Sequence, residues 1–494
     1  MDASNPTAIA KLLLPKVPLL LSTALSHSLW LSQTSSQWDL RTELFVTIIR
    51  SFMTPGKPSP VSKTQKISLR DPGVKGPMWI SKTTVPKPDE GDDIVQALEK
   101  AFNLLKEGNE TLYLPEPLPV YAEWTGHRGN VDKNAPELDI SEQEKYEHLM
   151  KEVKGDATVL YFHGGAYYMM DPATHRTTTS NLAKLSGGRV FSVRYRLAPQ
   201  DPFPAGLLDA LVAYLSLLYP PPGSVHEAVP ASKIVFSGDS AGGGLSLALL
   251  QLILTLHHHN EPANTVPTVT FHGKQVPLPL PGGVAVTSPW GDITCSAPSW
   301  ERNARYDYLP RPSQSANTKI PPCDIWPPKT GPKRHTLYAD DSCLLHPLVS
   351  PVTAPSWAGA PPMYLLAGEE MLGDDVEFIA RRVFETTPKA PTVVFQQFKT
   401  MPHCFAALLT HTGASKMAFA SYAKFVKEVC DDAQVGTMKS RASVVAAKTL
   451  VETEVPFEEL DKGVGFEDVK SRMKDAIRKK MEGVESEAKS MPKL

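Results

Sequence analysis

The chain has 494 residues, 41% of them hydrophobic, and its 51 basic and 53 acidic side chains leave a net charge of −2. That near-balance excludes the electrostatic footprint of a nucleic-acid binder, while the length suits one large α/β domain with a cap and tails. Five cysteines, odd in number and without a C-x-x-C pair, offer no disulfide framework and suit a reducing, intracellular setting, cytoplasmic or on an internal membrane.

From the N-terminus, residues 1–53 form a leucine-rich segment in which Pro15, Lys16, Pro18 and His27 interrupt the apolar run from Leu12 to Leu31. Its apolar part is shorter and more polar than the roughly 20 residues a spanning helix needs. No small-residue cleavage site follows it, so no secretory signal is expected. Two readings stay open: a cap helix over the site, or a helix on a membrane surface. Residues 54–109 are expected to be a connection, rich in Pro, Lys and Ser as far as residue 92, and then a helix. The main domain is expected over 110–430.

Ala157–Phe162 has the continuous apolar composition of a buried strand and stops at His163-Gly164-Gly165-Ala166. Small residues there let consecutive backbone amides approach a substrate oxygen, with His163 bracing the loop rather than moving protons. Ile234-Val235-Phe236 predicts a second buried strand, and Leu245–Leu250 the helix after it, with Gly238-Asp239-Ser240-Ala241-Gly242 between them. The five-residue pattern is unspecific alone. Placed between strand and helix, it projects a serine hydroxyl beside the free amides of a helix N-terminus, the arrangement of a nucleophile elbow. Together the amides of Gly164, Gly165 and Ala241 would offer about three donors to a tetrahedral oxyanion.

Residues 257–282 read as an insertion after the elbow helix, opening on His257-His258-His259. That run lacks carboxylate or thiolate partners at ligand spacing and reads as a solvated helix end, not a metal site. A second insertion, 309–332, holds seven prolines that stiffen it against joining a sheet. Both insertions are expected to shape specificity. Trp326, Tyr167 and Tyr168 are candidate substrate contacts or packing residues. Pro362–Gly368 predicts another buried strand, ending at Glu369-Glu370-Met371-Leu372-Gly373-Asp374, where Glu369, Glu370 and Asp374 are all candidate acids. Thr392–Phe395 predicts a further strand, then a polar loop with His403 and a helix from about Ser415. Of 14 histidines, His403 stands where a base would follow the acid. The order serine, acid, histidine is that of the α/β-hydrolases. Cys404 reads as a small packing residue. Residues 431–494 are expected to be a charged extension with a basic amphipathic helix, in which Phe466, Val469, Met473, Ile477, Met481 and Val484 recur at helical spacing. It is read as packed on the body, with a membrane surface as the alternative.

The paired motifs at 163–166 and 238–243, with Tyr195-Arg196-Leu197-Ala198-Pro199, Phe203-Pro204-Ala205, Ser288-Pro289-Trp290 with Asp292, and His346–Pro351, resemble the hormone-sensitive-lipase-like branch of the α/β-hydrolases. The resemblance covers roughly residues 110–430. It implies an α/β-hydrolase fold: a mostly parallel central sheet, helices on both faces, and a cap from the N-terminal segment and insertions. It also implies a serine hydrolase of carboxylic esters with Ser240 as nucleophile and His403 as base. The branch's G-x-D/E-x-L-x-D string falls on Gly368, Glu370, Leu372 and Asp374, pointing to Glu370 as the orienting acid with Asp374 as the alternative. Two departures stand out: Ala166 replaces a glycine in the oxyanion loop, and Gln200-Asp201 replaces the usual Glu-His. Some members of the branch remove acetyl groups from sterols or secondary metabolites. The chemistry implied calls for a small-molecule ester and no metal or organic cofactor. A lactone or amide hydrolase is the near alternative. A non-catalytic receptor on a hydrolase scaffold, as in plant gibberellin receptors that lack the histidine, is the alternative from another class. The oligomeric state is left open.

Overall fold

The computed structural model describes residues 13–54, 58–263, 265–315, 320–329, 334–386 and 391–490. Its strands in chain order are β1 (Met78–Val85), β2 (Val120–His127), β3 (Thr158–Phe162), β4 (Arg189–Arg194), β5 (Ile234–Asp239), β6 (Thr268–Phe271), β7 (Lys274–Pro277), β8 (Gly283–Thr287), β9 (Met363–Gly368), β10 (Val393–Phe398), β11 (Arg441–Val445) and β12 (Glu452–Val455). Ten of them form one sheet in the order β1-β2-β4-β3-β5-β8-β9-β10-β11-β12, and β6 and β7 pair as a separate hairpin. Pairing is parallel from β4 through β11 and antiparallel at the two ends.

The central strands β3, β5 and β9 are buried at every residue. Their apolar runs are those of parallel strands covered on both faces. Leu160 and Phe162 of β3 face a core built with α3 (Ile94–Leu105), α5 (Ala205–Leu218), α6 (Ala241–His258) and α7 (Gly373–Phe384). The alternate residues Val159 and Tyr161 face a second core with α4 (Pro172–Ser186) and α8 (Gly413–Val429). Thus helices cover both faces, as expected. In register, Phe162 stands opposite Gly238 and Gly238 opposite Val286, so β3, β5 and β8 end together. Parallel strands ending at one edge deliver the loops after them to one place. Among the described residues, α6 is the one helix long and apolar enough to cross a membrane, and 89% of that stretch is buried here as a core helix.

The sheet crosses both expected domain boundaries. β1 lies inside the expected connection 54–109, and β11 and β12 lie inside the expected extension 431–494. These strands lie at or next to the sheet's edges and mix polar residues among the apolar ones, as Ser81, Lys82, Thr83 and Thr84 do in β1, so they carry no long apolar run. Of the basic helix α9 (Phe466–Ser490), Val469 and Met473 are fully buried and Phe466 and Ile477 pack beside them, so its first turns lie on the body. The 257–282 insertion carries the β6–β7 hairpin. Asp93 accepts from the Thr270 amide (2.6 Å) and Asp92 from that of His272 (2.8 Å). The insertion therefore docks beyond the far end of α6, whose 18 residues span about 27 Å, and it does not border Ser240. In the second insertion, Trp326 is buried.

The N-terminal segment forms α1 (Val17–Ser28) and α2 (Leu40–Met53), the latter capped by Asp39, which accepts from the Thr42 amide at 2.7 Å. α2 touches the body: Trp38 Nε1, just before it, donates to the Thr400 carbonyl (2.8 Å), and Arg50 Nε to the Asp307 carbonyl (2.9 Å). α1 instead lies outside α2, joined through His27 and Glu43, and has no buried residue. The cap expected of the Leu12–Leu31 run is thus formed by the helix after it. Leu14, Leu21, Leu25, Leu29, Trp30 and Leu31 are each more than half exposed, from 57% at Leu29 to 74% at Leu31.

Candidate active site

β5 ends and α6 begins within one turn, and Ser240 bridges them at φ 52°, ψ −120°. That conformation is costly for a residue with a Cβ and persists only where its surroundings hold it. Here the Ser240 amide donates to the Thr287 carbonyl (3.0 Å), and its own carbonyl accepts from Trp290 (2.9 Å) and Gly244 (3.0 Å). Gly242 lets this turn press on β3, since a Cβ there would lie 1.9 Å from the Phe162 carbonyl oxygen. The hydroxyl is left projecting beside the first amides of α6.

His403 follows β10, and its Nε2 lies 2.9 Å from Ser240 Oγ. Its Nδ1 lies 3.1 Å from Glu370 Oε1, in the loop after β9. Glu370 is fully buried, and its Oε2 accepts from Ser288 Oγ (2.6 Å) and the Gly368 amide (3.2 Å). Ser288 Oγ also accepts from the Cys404 amide (3.1 Å), so one hydroxyl joins the acid to the histidine loop. The other candidate acids face elsewhere. Asp374 accepts from the Ser299 amide (3.0 Å) and pairs with Arg302, and Glu369 accepts from the Thr400 amide (2.9 Å). Glu370 is therefore the carboxylate brought to the imidazole.

Burial works against a charged imidazole at His403, but Cys404 and Glu370 beside it hold its pKa well above the ordinary histidine value. Burial pushes the Cys404 thiol itself up to about 12, so at neutral pH it carries no charge, and the anion acting on His403 is Glu370. Cys404 is buried with its sulfur 3.8 Å from Asp239 Oδ2, a packing position.

The oxyanion loop differs from expectation at one residue. The Gly164 amide donates to Asp239 Oδ1 (3.1 Å) and so faces away from any substrate oxygen. Asp239 lies directly beneath the loop, where it also accepts from Tyr161 (2.6 Å) and lies 3.4 Å from His175 Nε2. Burial disfavours the Asp239 charge, but His175 and Tyr161 outweigh it and hold the carboxyl below its ordinary range. Among the described residues, the amides of Gly165, Ala166 and Ala241 donate to no protein acceptor. Ala166 sits at φ 53°, a left-handed position where the branch it resembles has glycine. His163 stacks on Tyr195 (4.5 Å), and its Nδ1 donates to the Gly164 carbonyl (2.7 Å). Burial and the neighbouring His175 lower its pKa to about 4, so it braces the loop as a neutral ring.

Three residues of the site were absent from the sequence expectations: Ser288, Asp239 in its bracing role, and Asp307. Ser288 lay in a recognised motif, and its φ of 49° marks the sharp turn after β8, but nothing in the motif named its partner. Asp307 is fully buried and bonds to the amides of Tyr308 (2.7 Å) and Met371 (2.8 Å). Tyr167 stacks on Tyr338 at 3.7 Å, as packing. The rings of His257, His258 and His259 each bond a backbone carbonyl. Among the described residues, Asp89, Asp92 and His272 could converge on a cation, but backbone amides of His272 and Gly273 already occupy both Asp92 oxygens.

The family model for the alpha/beta hydrolase fold matches residues 159–407. An acetyl-hydrolase of Streptomyces hygroscopicus is 30% identical over 248 residues, which are 50% of this chain and 67% of that protein. Lipase 2 of Moraxella sp. (strain TA144) is 35% identical over 153 residues, 30% of this chain and 35% of the lipase. Among solved structures, EstE5 soaked with p-nitrophenyl butyrate superposes with a TM-score of 0.53 at 22% identity, over 80% of this chain and 99% of EstE5. An esterase/lipase from an uncultured bacterium gives 0.52 at 22% identity over the same shares. These two likenesses show the fold.

Proposed function

This chain belongs to the alpha/beta hydrolase family, and we propose that it is a serine hydrolase of carboxylic esters. The observation that carries the reading is the unbroken chain Ser240 Oγ, His403 Nε2, His403 Nδ1, Glu370 Oε1, at 2.9 and 3.1 Å. Neutral His403 takes the Ser240 proton as Oγ attacks the ester carbonyl, and Glu370 fixes the tautomer and stabilises the imidazolium that forms. The carbonyl oxygen becomes an oxyanion, for which the Gly165, Ala166 and Ala241 amides are the donors. Each such donor contributes about 3 kcal/mol in hydrolases of this chemistry. Collapse breaks the bond to the alkoxy oxygen, which leaves as the alcohol with the proton from His403. Water, deprotonated by His403, then releases the acid and restores Ser240.

The substrate we propose joins a small to medium acyl group to a mostly apolar alcohol, of the type of an acetylated sterol or secondary metabolite. The name of the Streptomyces relative supports the short acyl group. A lipid surface as partner is supported by the exposed apolar side chains of the N-terminal segment, Leu21 and Leu25 on α1 and Leu29, Trp30 and Leu31 after it. The five cysteines, all free, fit the intracellular setting proposed with it.

A fluorophosphonate probe tests the activity. Labelling of the wild type that vanishes in Ser240→Ala and falls steeply in His403→Ala is the expected result, and a panel of esters, lactones and amides then separates the substrate classes. A well-folded wild type that resists the probe and hydrolyses none of them would instead be a small-molecule receptor. Flotation with liposomes tests the surface, with loss of binding expected on changing Leu21 and Leu25 to serine.

A further inference from the structure

Asp307 is a buried carboxylate that the triad chemistry leaves unused. It follows the short helix Ser299–Arg302, and its two oxygens reach two different loops. Oδ2 accepts from the Met371 amide at 2.8 Å, one residue after Glu370. Oδ1 accepts from the amides of Tyr308 (2.7 Å) and Leu309 (3.5 Å) and from the amide of His403 itself at 3.4 Å. Among the described residues no cation touches this carboxylate, because the Arg50 guanidinium of α2 binds the carbonyl oxygens of Arg305 and Asp307 instead. One side chain thus spans the acid loop and the histidine loop, and its backbone is pinned from the N-terminal cap.

A buried carboxylate without a cation is costly to hold, and four amide donors, two from its own segment and one from each of the two loops, are what offset that cost here. Burial pushes the Asp307 carboxyl up, while His403 opposes it, so the two groups sense each other's charge. The other titratable groups facing the imidazole are Glu370 after β9, Tyr308 beside Asp307 and Cys404 next in the chain, whose sulfur in turn lies 3.8 Å from Asp239 at the end of β5.

We propose that Asp307 is a positioning residue of the triad: it locks the acid loop to the histidine loop and adds a second negative charge beside the imidazolium at His403. The inference rests on the roles given above to Ser240, His403 and Glu370. Asp307→Asn keeps the volume, removes the charge and turns one amide donor towards another.

The experiment is the pH profile of kcat and kcat/KM for p-nitrophenyl acetate, with far-UV circular dichroism on every variant and Ser240→Ala alongside. The expected result is a kcat lower by about 100-fold at little-changed KM, the scale of a misplaced catalytic group. The acid limb of kcat/KM should also move down by about half a pH unit, the scale expected when a unit negative charge near an imidazole is lost. A folded Asp307→Asn with the acid limb unmoved overturns the proposal. If that variant does not fold, Asp307→Glu answers instead: it should keep the limb and lose kcat, and wild-type kcat would overturn the idea equally. Activity surviving in Ser240→Ala would instead strike the hydrolase reading itself.

Discussion

Replacing Glu370 with glutamine keeps the side-chain volume and removes one of its two acceptor oxygens. Three donors now converge on the carboxylate: His403 Nδ1 at 3.1 Å, Ser288 Oγ at 2.6 Å and the Gly368 amide at 3.2 Å. An amide that keeps its oxygen towards Nδ1 points its NH2 group at Ser288 and Gly368. The Gly368 amide has no lone pair to accept it, and Ser288 Oγ, which now donates to the carboxylate, would have to turn its proton away. The flipped amide donates to Nδ1 and selects the tautomer whose Nε2 carries a proton towards Ser240, which cannot act as base. Both outcomes cost activity, and a triad held in the wrong tautomer loses about 10⁴ in kcat, or roughly 5.5 kcal/mol. Loss of the Glu370 charge should also lower the pKa of His403, now held above its ordinary 6.5, and carry the acid limb of kcat/KM downwards. Asp374→Asn disturbs only the Ser299 amide and a pair with Arg302, whose side chain is half exposed, so about fivefold or less is expected. Steady-state hydrolysis of p-nitrophenyl acetate across about pH 5 to 9 measures both variants. A larger loss in Asp374→Asn than in Glu370→Gln would refute the assignment, as would a Glu370→Gln limb that stays in place.

Ser288→Ala removes the hydroxyl joining Glu370 to the Cys404 amide and should lower kcat by roughly 10- to 100-fold, the scale of buried hydrogen bonds lost, with Tm little changed; wild-type kcat would show that the acid holds itself in place. Gly164→Ala places a Cβ 2.4 Å from Asp239 Oδ2, so the oxyanion loop must shift. A loss of about 10² to 10³ in kcat is expected from it, and near-wild-type turnover would mean that the loop tolerates the displacement. His163, His226 and His346 are buried with pKa values lowered from 6.5 to about 4. The unfolded chain therefore takes up their protons first, and the stability from keeping them neutral is lost as pH falls from about 6.5 towards 4, by up to about 3 kcal/mol for each histidine. Urea unfolding at pH 7.5 and 4.5 reads this out; equal midpoints would mean that these rings are not desolvated.

What the sequence made legible was whatever is local. Buried parallel strands announce themselves as apolar runs, so β3, β5, β9 and β10 were expected within a residue or two of where they stand at their starts, and the loops after the last three carry Ser240, Glu370 and His403. Those three, far apart in the chain, are brought together because β5, β9 and β10 deliver their loops to one edge of the sheet. Residues whose role exists only through a tertiary partner were not legible. Ser288 means little until Glu370 lies 2.6 Å away, and Asp307 means little until it reaches both Met371 and His403. The Gly164 amide was misassigned because no local pattern says that the side chain before the nucleophile will lie beneath the oxyanion loop. The strands β1, β11 and β12, at or next to the edges, were missed because such strands tolerate polar residues, which removes the apolar run that marks a central strand.

The anchoring of α2 bears on how this protein can be shortened. The exposed leucines in and around α1 invite removal of the first 53 residues to make a more soluble sample, and the family match, beginning at Val159 inside β3, makes such a cut look harmless. It would take away Trp38 and Arg50 and leave the Thr400 and Asp307 carbonyls, on the loops that carry the histidine and its neighbouring carboxylate, without those donors. The trimmed chain would still fold its sheet and display every signature motif, yet its turnover would collapse. An inactive truncation of this kind would be mistaken for a dead relative, when the fault lies in the cut.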